Sequence, residues 1–288
     1  MTPAILPVPH FKQNLYSNRN LVDPYPIYKE LRDLGPFVWL ARQKMYAIGR
    51  YDDSRNALRA DDTLVSSHGV AVNKLTNENT IDATLTTDGE THKKLRDIVM
   101  KPMMPNALTE IKDRVYQEAD ALIMRLVQKG SFDGMTELAQ YLPVQIVSEL
   151  VGLPEQGRDN MLKWATAVAT TGGPWSFRSL MCIPVLLELI KYTKTLTVDS
   201  VRPGSWAETV FKTVEQGVVE KKYLIGLLMD YAMPSLHTTI FATGEMLDQL
   251  GKSPDQWQRL KDEPKLVVNA VNESVRLASP VRNFTRYA

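Results

Sequence analysis

One cysteine, four histidines and no long apolar run set the first limits on this chain. A lone Cys182 excludes an internal disulfide framework and any Cys-x-x-Cys zinc site. Its apolar surroundings, Leu180-Met181-Cys182-Ile183-Pro184, suggest a buried structural thiol. The histidines, at 10, 68, 92 and 237, are scattered without a paired carboxylate motif and spell no metal centre. No stretch approaches the roughly 18 uninterrupted apolar residues of a membrane span. The opening MTPAILPVPHFKQN lacks a basic region followed by an apolar run, so it is a poor signal peptide. An excess of one charge is missing as well. Lys and Arg number 34 against 33 Asp and Glu, and a formal +1 gives no global reason to expect nucleic acid. What is present suits a soluble protein of a reducing cytoplasm: 288 residues, 44% apolar and 23% charged, can bury a core without disulfides.

Residues 1–20, with Pro3, Pro7 and Pro9, read as an irregular arm. Asp23-Pro24-Tyr25-Pro26 opens a helix with Ile27, Leu31 and Leu34 inward and Gly35 at its end. PFVWLA (36–41) and KMYAIGR (44–50) predict a β-hairpin. A short helix over 51–60 has Asp52 or Asp53 as its cap. From 62 to 91 the periodicity fails, and a long Thr-, Ser- and Asn-rich loop with one small helical turn is expected. Helical spacing then predicts helices over about 92–101, 106–129, 137–151, 155–171, 178–200, 206–214, 219–250, 254–263 and 265–278. Ser253-Pro254-Asp255 is a start signal for one of these. The expectation is a mainly α protein with a small β-sheet region at about 36–50. It forms a single domain over 1–288, helical over about 92–278, with a strand beginning over 279–288.

The helix LIGLLMDYAMPSLHTTIFAT (224–243) carries the oddest residue. Pro234 in a helix interior removes a backbone donor and pushes away the carbonyl of Asp230, at roughly 3 kcal/mol. A kink there leaves a place for water beside His237, Thr238 and Thr239, and so a place to move protons. The alternative is a kinked core helix whose threonines bond back to earlier carbonyls.

Glu273 and Arg276, three apart, share a helical face and can pair. Their apolar flanks, Leu266, Val267, Val268, Val271, Val275 and Leu277, predict that the pair is partly buried. After the acidic turn Asp88-Gly89-Glu90, His92 and Arg96 lie one turn apart, flanked by Lys93, Lys94 and Lys101. Alone, that pattern also fits a solvated basic face. His68, in Ser66-Ser67-His68-Gly69-Val70, reads as a loop histidine.

Taken in order, these segments resemble a cytochrome P450 of the soluble bacterial type, from DPYPIYKELRDLGP to the last strand. The likeness is greatest to the group that oxidises small aromatic acids. The family pattern of small residue, Gly, any residue, acid, Thr, Thr or Ser stands here as Pro234-Ser235-Leu236-His237-Thr238-Thr239. The resemblance implies that Thr238 handles dioxygen and steers protons, with His237 in the acid's place. A histidine of pKa about 6.5 can relay protons near neutrality but lacks a carboxylate's charge. It further implies that His92, Arg96 and Arg286, or Arg282 in its stead, meet the haem propionates. Glu273 and Arg276 would brace the core beneath the haem, and His68 would lie in the lid over the substrate.

The implied cofactor is haem b, with O2 as co-substrate and NAD(P)H acting through redox partners. The implied partners are a ferredoxin, its reductase and a small apolar or aromatic-acid substrate, with no nucleic acid and no membrane. No axial ligand is expected within this chain, since the family's cysteine would lie beyond Ala288. The chain therefore reads as an inactive, C-terminally incomplete part of a cytoplasmic monooxygenase that is a monomer when complete. Two alternatives stand beside it: an all-helical binding or scaffold protein, and a P450-fold enzyme with peroxide-driven or dehydration chemistry.

Overall fold

The computed structural model describes residues 8–79, 82–101 and 105–288. The chain opens with β1 (His10–Phe11), α1 (Asn18–Val22) and α2 (Tyr25–Leu34), then β2 (Val38–Leu40) and β3 (Met45–Ala47). There follow α3 (Tyr51–Arg59), α4 (Lys74–Glu78), α5 (Gly89–Met100), α6 (Pro105–Lys129) and α7 (Tyr141–Val151). The rest is α8 (Glu155–Thr171), α9 (Phe177–Thr193), α10 (Trp206–Glu215), α11 (Leu224–Lys252), α12 (Pro254–Asp262) and α13 (Val267–Ala278).

The expected hairpin forms, with Val38 opposite Ala47, Trp39 opposite Tyr46 and Leu40 opposite Met45. Alternation turns Val38 and Leu40 inward, onto Ile27 and Leu31 of α2. The region taken as an irregular arm is more ordered than expected. β1 pairs in parallel with β2, and Phe11 and Leu15 enter the same core. Leu34, expected inward, is exposed, because α2 offers only one narrow stripe to a sheet this small.

The second and larger core surrounds α11. Leu227, Leu228 and Leu236 are fully buried there, with Leu95, Val151, Met161, Trp164 and Val210 brought by α5, α7, α8 and α10. Burial at 228, 236 and 240 follows one helical face, which is why a helix this apolar lies inside the bundle. α11 continues through Pro234 without a break.

Several expected boundaries move. Arg50, not an aspartate, stands at the N-cap of α3, while Asp52 and Asp53 lie in its first turn beside the positive end of the helix dipole. A π-helical turn over Gly134–Ala139 precedes α7, and the helix expected over 178–200 ends at Thr193. Ser253 precedes α12 without a side-chain capping bond. The segment expected as a strand over 279–288 forms one isolated antiparallel bridge, Val65 with Tyr287. Cys182, expected to be buried, is only half-buried, since α9 turns its Met181 and Leu187 to solvent. No helix among the described residues is long and apolar enough to cross a membrane.

Candidate active site

The hydroxyls of α11 have local partners. Thr238 Oγ1 donates to the carbonyl of Pro234 at 2.6 Å and Thr239 Oγ1 to that of Ser235 at 2.9 Å. These are the back-bonds by which a helical threonine satisfies itself. Each oxygen still has a lone pair, and both line a cleft of about 380 Å³ between α11 and α13. Ala242 and Thr243 continue that wall, while Val271 and Val275 face it from α13. A second cleft, about 340 Å³, lies farther along between α11, α12 and α13. His237 points elsewhere: its Nε2 lies 2.9 Å from Thr166 Oγ1 on α8, and its ring packs against Phe241. Burial lowers its pKa, which favours the neutral imidazole.

Glu273 and Arg276 pair as the spacing required, through Nε at 2.7 Å and Nη2 at 2.6 Å. The expectation of partial burial is corrected. The side chains are 55% and 67% exposed, and Val267, Val268, Val271 and Val275 are exposed beside them. The hydrogen bond from Arg276 nevertheless holds the Glu273 carboxyl below its usual range. The buried member of Glu273-Ser274-Val275-Arg276 is Ser274, whose hydroxyl donates to the carbonyl of Ala242 at 2.6 Å. It joins α13 to α11 at the cleft. A serine between Glu273 and Val275 is the only trace that this bond leaves in the sequence.

α5 is held from two sides. Asp88, the residue before it, accepts the amides of Ser66 and Ser67 at 2.7–3.0 Å. Partial burial raises its pKa, but these bonds and the nearby Arg286 guanidinium outweigh that and leave it lowered. Thr285 donates to the carbonyl of Val70 at 3.0 Å, close to the Val65–Tyr287 bridge. The extended segment 285–287 is thereby fastened beside the start of α5, and Arg286 comes to the end that carries His92 and Arg96. Arg96 itself is exposed. Arg282 is engaged elsewhere, reaching the carbonyls of Leu15 and Asn20 and the ring of Tyr28. His68 is exposed with its ring edge-on to Tyr287.

The other tether of α5 was not foreseen. His92 Nδ1 lies 2.8 Å from the carbonyl of Thr84, and a carbonyl can only accept, so Nδ1 carries the proton. The amide of Thr84 in turn donates to Asp230 Oδ2 on α11 at 2.9 Å. Burial raises the Asp230 pKa, against the lowering effect of Thr84 and of His92. The backbone here comes so close that a Cβ at Gly226 would collide with the carbonyl of Asp82. Asp230 looked from sequence only like the carbonyl opposite Pro234.

The arrangement suits a large planar cofactor with acidic arms. It offers an apolar cleft edged by hydroxyls, and separately the basic side chains His92 and Arg96 on α5 and Arg286 on segment 285–287. Cys182 stands on α9, away from the residues that line the cleft. No group of three or more His, Cys, Asp or Glu side chains among the described residues could hold a bare metal ion.

Comparison with known proteins bears on this geometry. Residues 27–153 match the family model described as Cytochrome P450. A protein named Cytochrome p450 CYP199A2, from Rhodopseudomonas palustris, is 27% identical over 284 residues, 97% of this chain and 69% of the relative. A Vitamin D(3) 25-hydroxylase of Pseudonocardia autotrophica is 26% identical over 281 residues, 94% of this chain and 68% of its own length. Among solved structures, the haem domain of Acinetobacter radioresistens CYP116B5 superposes with a TM-score of 0.79 at 20% identity. That match covers 92% of this chain and 68% of the other, and it speaks for the fold. With the helical order, the small sheet and the α11–α13 cleft, these matches make the chain similar to cytochromes P450 over most of its length and show that it shares their fold.

Proposed function

We propose that the α11–α13 cleft borders a haem b pocket and that the protein oxidises a small apolar or aromatic-acid substrate with O2. The observation that carries this reading is the cleft itself. Thr238 and Thr239 line one wall and Val271 and Val275 the other, with Ser274 joining the two helices at its edge. Haem, when bound, supplies the chemistry that places one oxygen atom in the substrate.

The chain's own side chains then have separable tasks. Thr238 offers a hydroxyl at the cleft and hands a proton inward by exchanging its bond to Pro234. His237 supplies a proton from the α8 side in place of the family's acid. His92, Arg96 and Arg286 meet the propionates, since charge-assisted bonds to carboxylates are strongest at a partly dry edge. Arg286 is preferred to Arg282 because it lies close enough to Asp88, at the start of α5, to lower that carboxyl's pKa, whereas Arg282 reaches Leu15 and Asn20. Glu273 and Arg276 brace α13, and His68 meets the carboxylate of an acidic substrate. Electrons come from a ferredoxin and its NAD(P)H-dependent reductase in the cytoplasm, drawn by Lys93, Lys94 and Lys101 on the exposed side of α5.

Titrating the protein with haem and following its absorbance tests the pocket. His92→Ala, Arg96→Ala and Arg286→Ala should each weaken uptake about tenfold or more, the effect of losing one charged hydrogen bond. Uptake unchanged in all three rejects the propionate assignment. The relay is tested separately in the chain joined to a segment that supplies the axial cysteine: His237→Phe should alter the pH profile of turnover, and an unaltered profile removes His237 from the proton path.

A further inference from the structure

The neighbours of His237 dictate which of its nitrogens can move a proton. Thr166 Oγ1 lies 2.8 Å from the carbonyl of Leu162 one turn earlier and 2.9 Å from His237 Nε2. A hydroxyl has one proton to give. Two oxygens at 2.8 Å repel unless a proton lies between them, and that separation is the usual O–H···O distance. The Thr166 proton is therefore spent on Leu162, and its lone pair faces the imidazole. Nε2 must then carry a hydrogen. Among the described residues nothing bonds Nδ1.

From this geometry we infer that Thr166 is a positioning residue, which locks His237 in the Nε2–H tautomer and makes Nδ1 its sole proton-exchanging atom. The lock has a useful property. Thr166 accepts from Nε2–H whether or not Nδ1 is protonated, so a proton can enter and leave at Nδ1 without disturbing the contact between α8 and α11. Burial already favours the neutral ring, and no charged side chain contributes to that preference. His92 shows the opposite arrangement, with the Thr84 carbonyl holding its proton on Nδ1. Two histidines of one chain are thus set in opposite tautomers by an accepting hydroxyl and an accepting carbonyl. The inference builds on the relay proposed for His237.

Nitrogen-15 NMR of the imidazoles in the whole protein tests it, with His237→Gln assigning the signal. The wild-type protein should show His237 as Nε2–H near neutral pH. Thr166→Val, which cannot accept, should turn that into a mixture of tautomers, and Thr166→Ser should restore the single form. A wild-type Nδ1–H signal, or a Thr166→Val spectrum identical to wild type, overturns the lock. The wild-type spectrum suffices on its own if Thr166→Val fails to fold. A correct tautomer combined with an unaltered turnover profile in His237→Phe would leave the lock standing and reject only the relay.

Discussion

The two sides of α11 are built on different physics. On one side Asp230 reaches into half-buried surroundings, holds the amide of Thr84, and through Thr84 fixes His92 on α5. On the other, α13 presents an ion pair of good geometry in solvent, among exposed valines. Both are polar links, and the shorter distances belong to the exposed pair. Burial, not distance, decides which of them matters, because water competes for every exposed bond and for few buried ones.

The largest effect that would sharpen this contrast comes from the backbone. At Gly226 a methyl group would strike the carbonyl of Asp82 and the Cα of Ala83, neither of which belongs to a flexible side chain. Gly226→Ala should therefore cost roughly 1–3 kcal/mol, read from denaturant unfolding, as overpacking does elsewhere. Next is Asp230→Ala, which leaves the Thr84 amide without its acceptor at roughly 1–3 kcal/mol. Asp230→Asn should recover most of that loss, since an amide oxygen still accepts. Equal losses in the two variants would show that the hydrogen bond is not what stabilises this side.

The two aspartates next to α5 should respond to pH in opposite senses. The folded-state pKa of Asp230 is raised, so its native form holds the proton more tightly than the unfolded chain does. Stability from this group is highest below the unfolded value of about 3.9 and declines as pH rises through the folded one. The folded-state pKa of Asp88 is lowered, so its contribution is present above about 3.9 and is lost as pH falls through the folded value. Unfolding midpoints measured against pH should lose the first slope in Asp230→Asn and the second in Asp88→Asn. The smallest effect belongs to the exposed pair: Glu273→Gln should leave the thermal midpoint of this chain unmoved. A clear drop would break the comparison.

Much of the fold was legible in the residues. Repeated helical spacing and Pro–Gly punctuation located α5 to α13 to within about five residues, save that the helix expected over 178–200 ends at Thr193, and the Val-, Trp-, Tyr- and Ile-rich runs of 36–50 located the hairpin. The two short strand residues of β1 were not legible, because pairing in parallel with β2 depends on a partner nearly thirty positions away. Thr238, Glu273 and Arg276 stood out by motif. Ser274, Asp230 and Thr166 did not, since a side chain that bonds a distant backbone or ring leaves no periodic trace. Glu273 and Arg276 illustrate the converse: their flanks are apolar, yet nothing among the described residues covers them.

From composition and spacing alone came the helical class, the pairing of Glu273 with Arg276 and the missing backbone donor at Pro234, because each depends on residues within a turn or two. Packing decided the rest: that His237 faces α8, that Arg286 rather than Arg282 comes to α5, and that Asp230 reaches Thr84. Those are contacts between segments tens to hundreds of residues apart, and a linear pattern carries no record of which distant groups a fold will bring together.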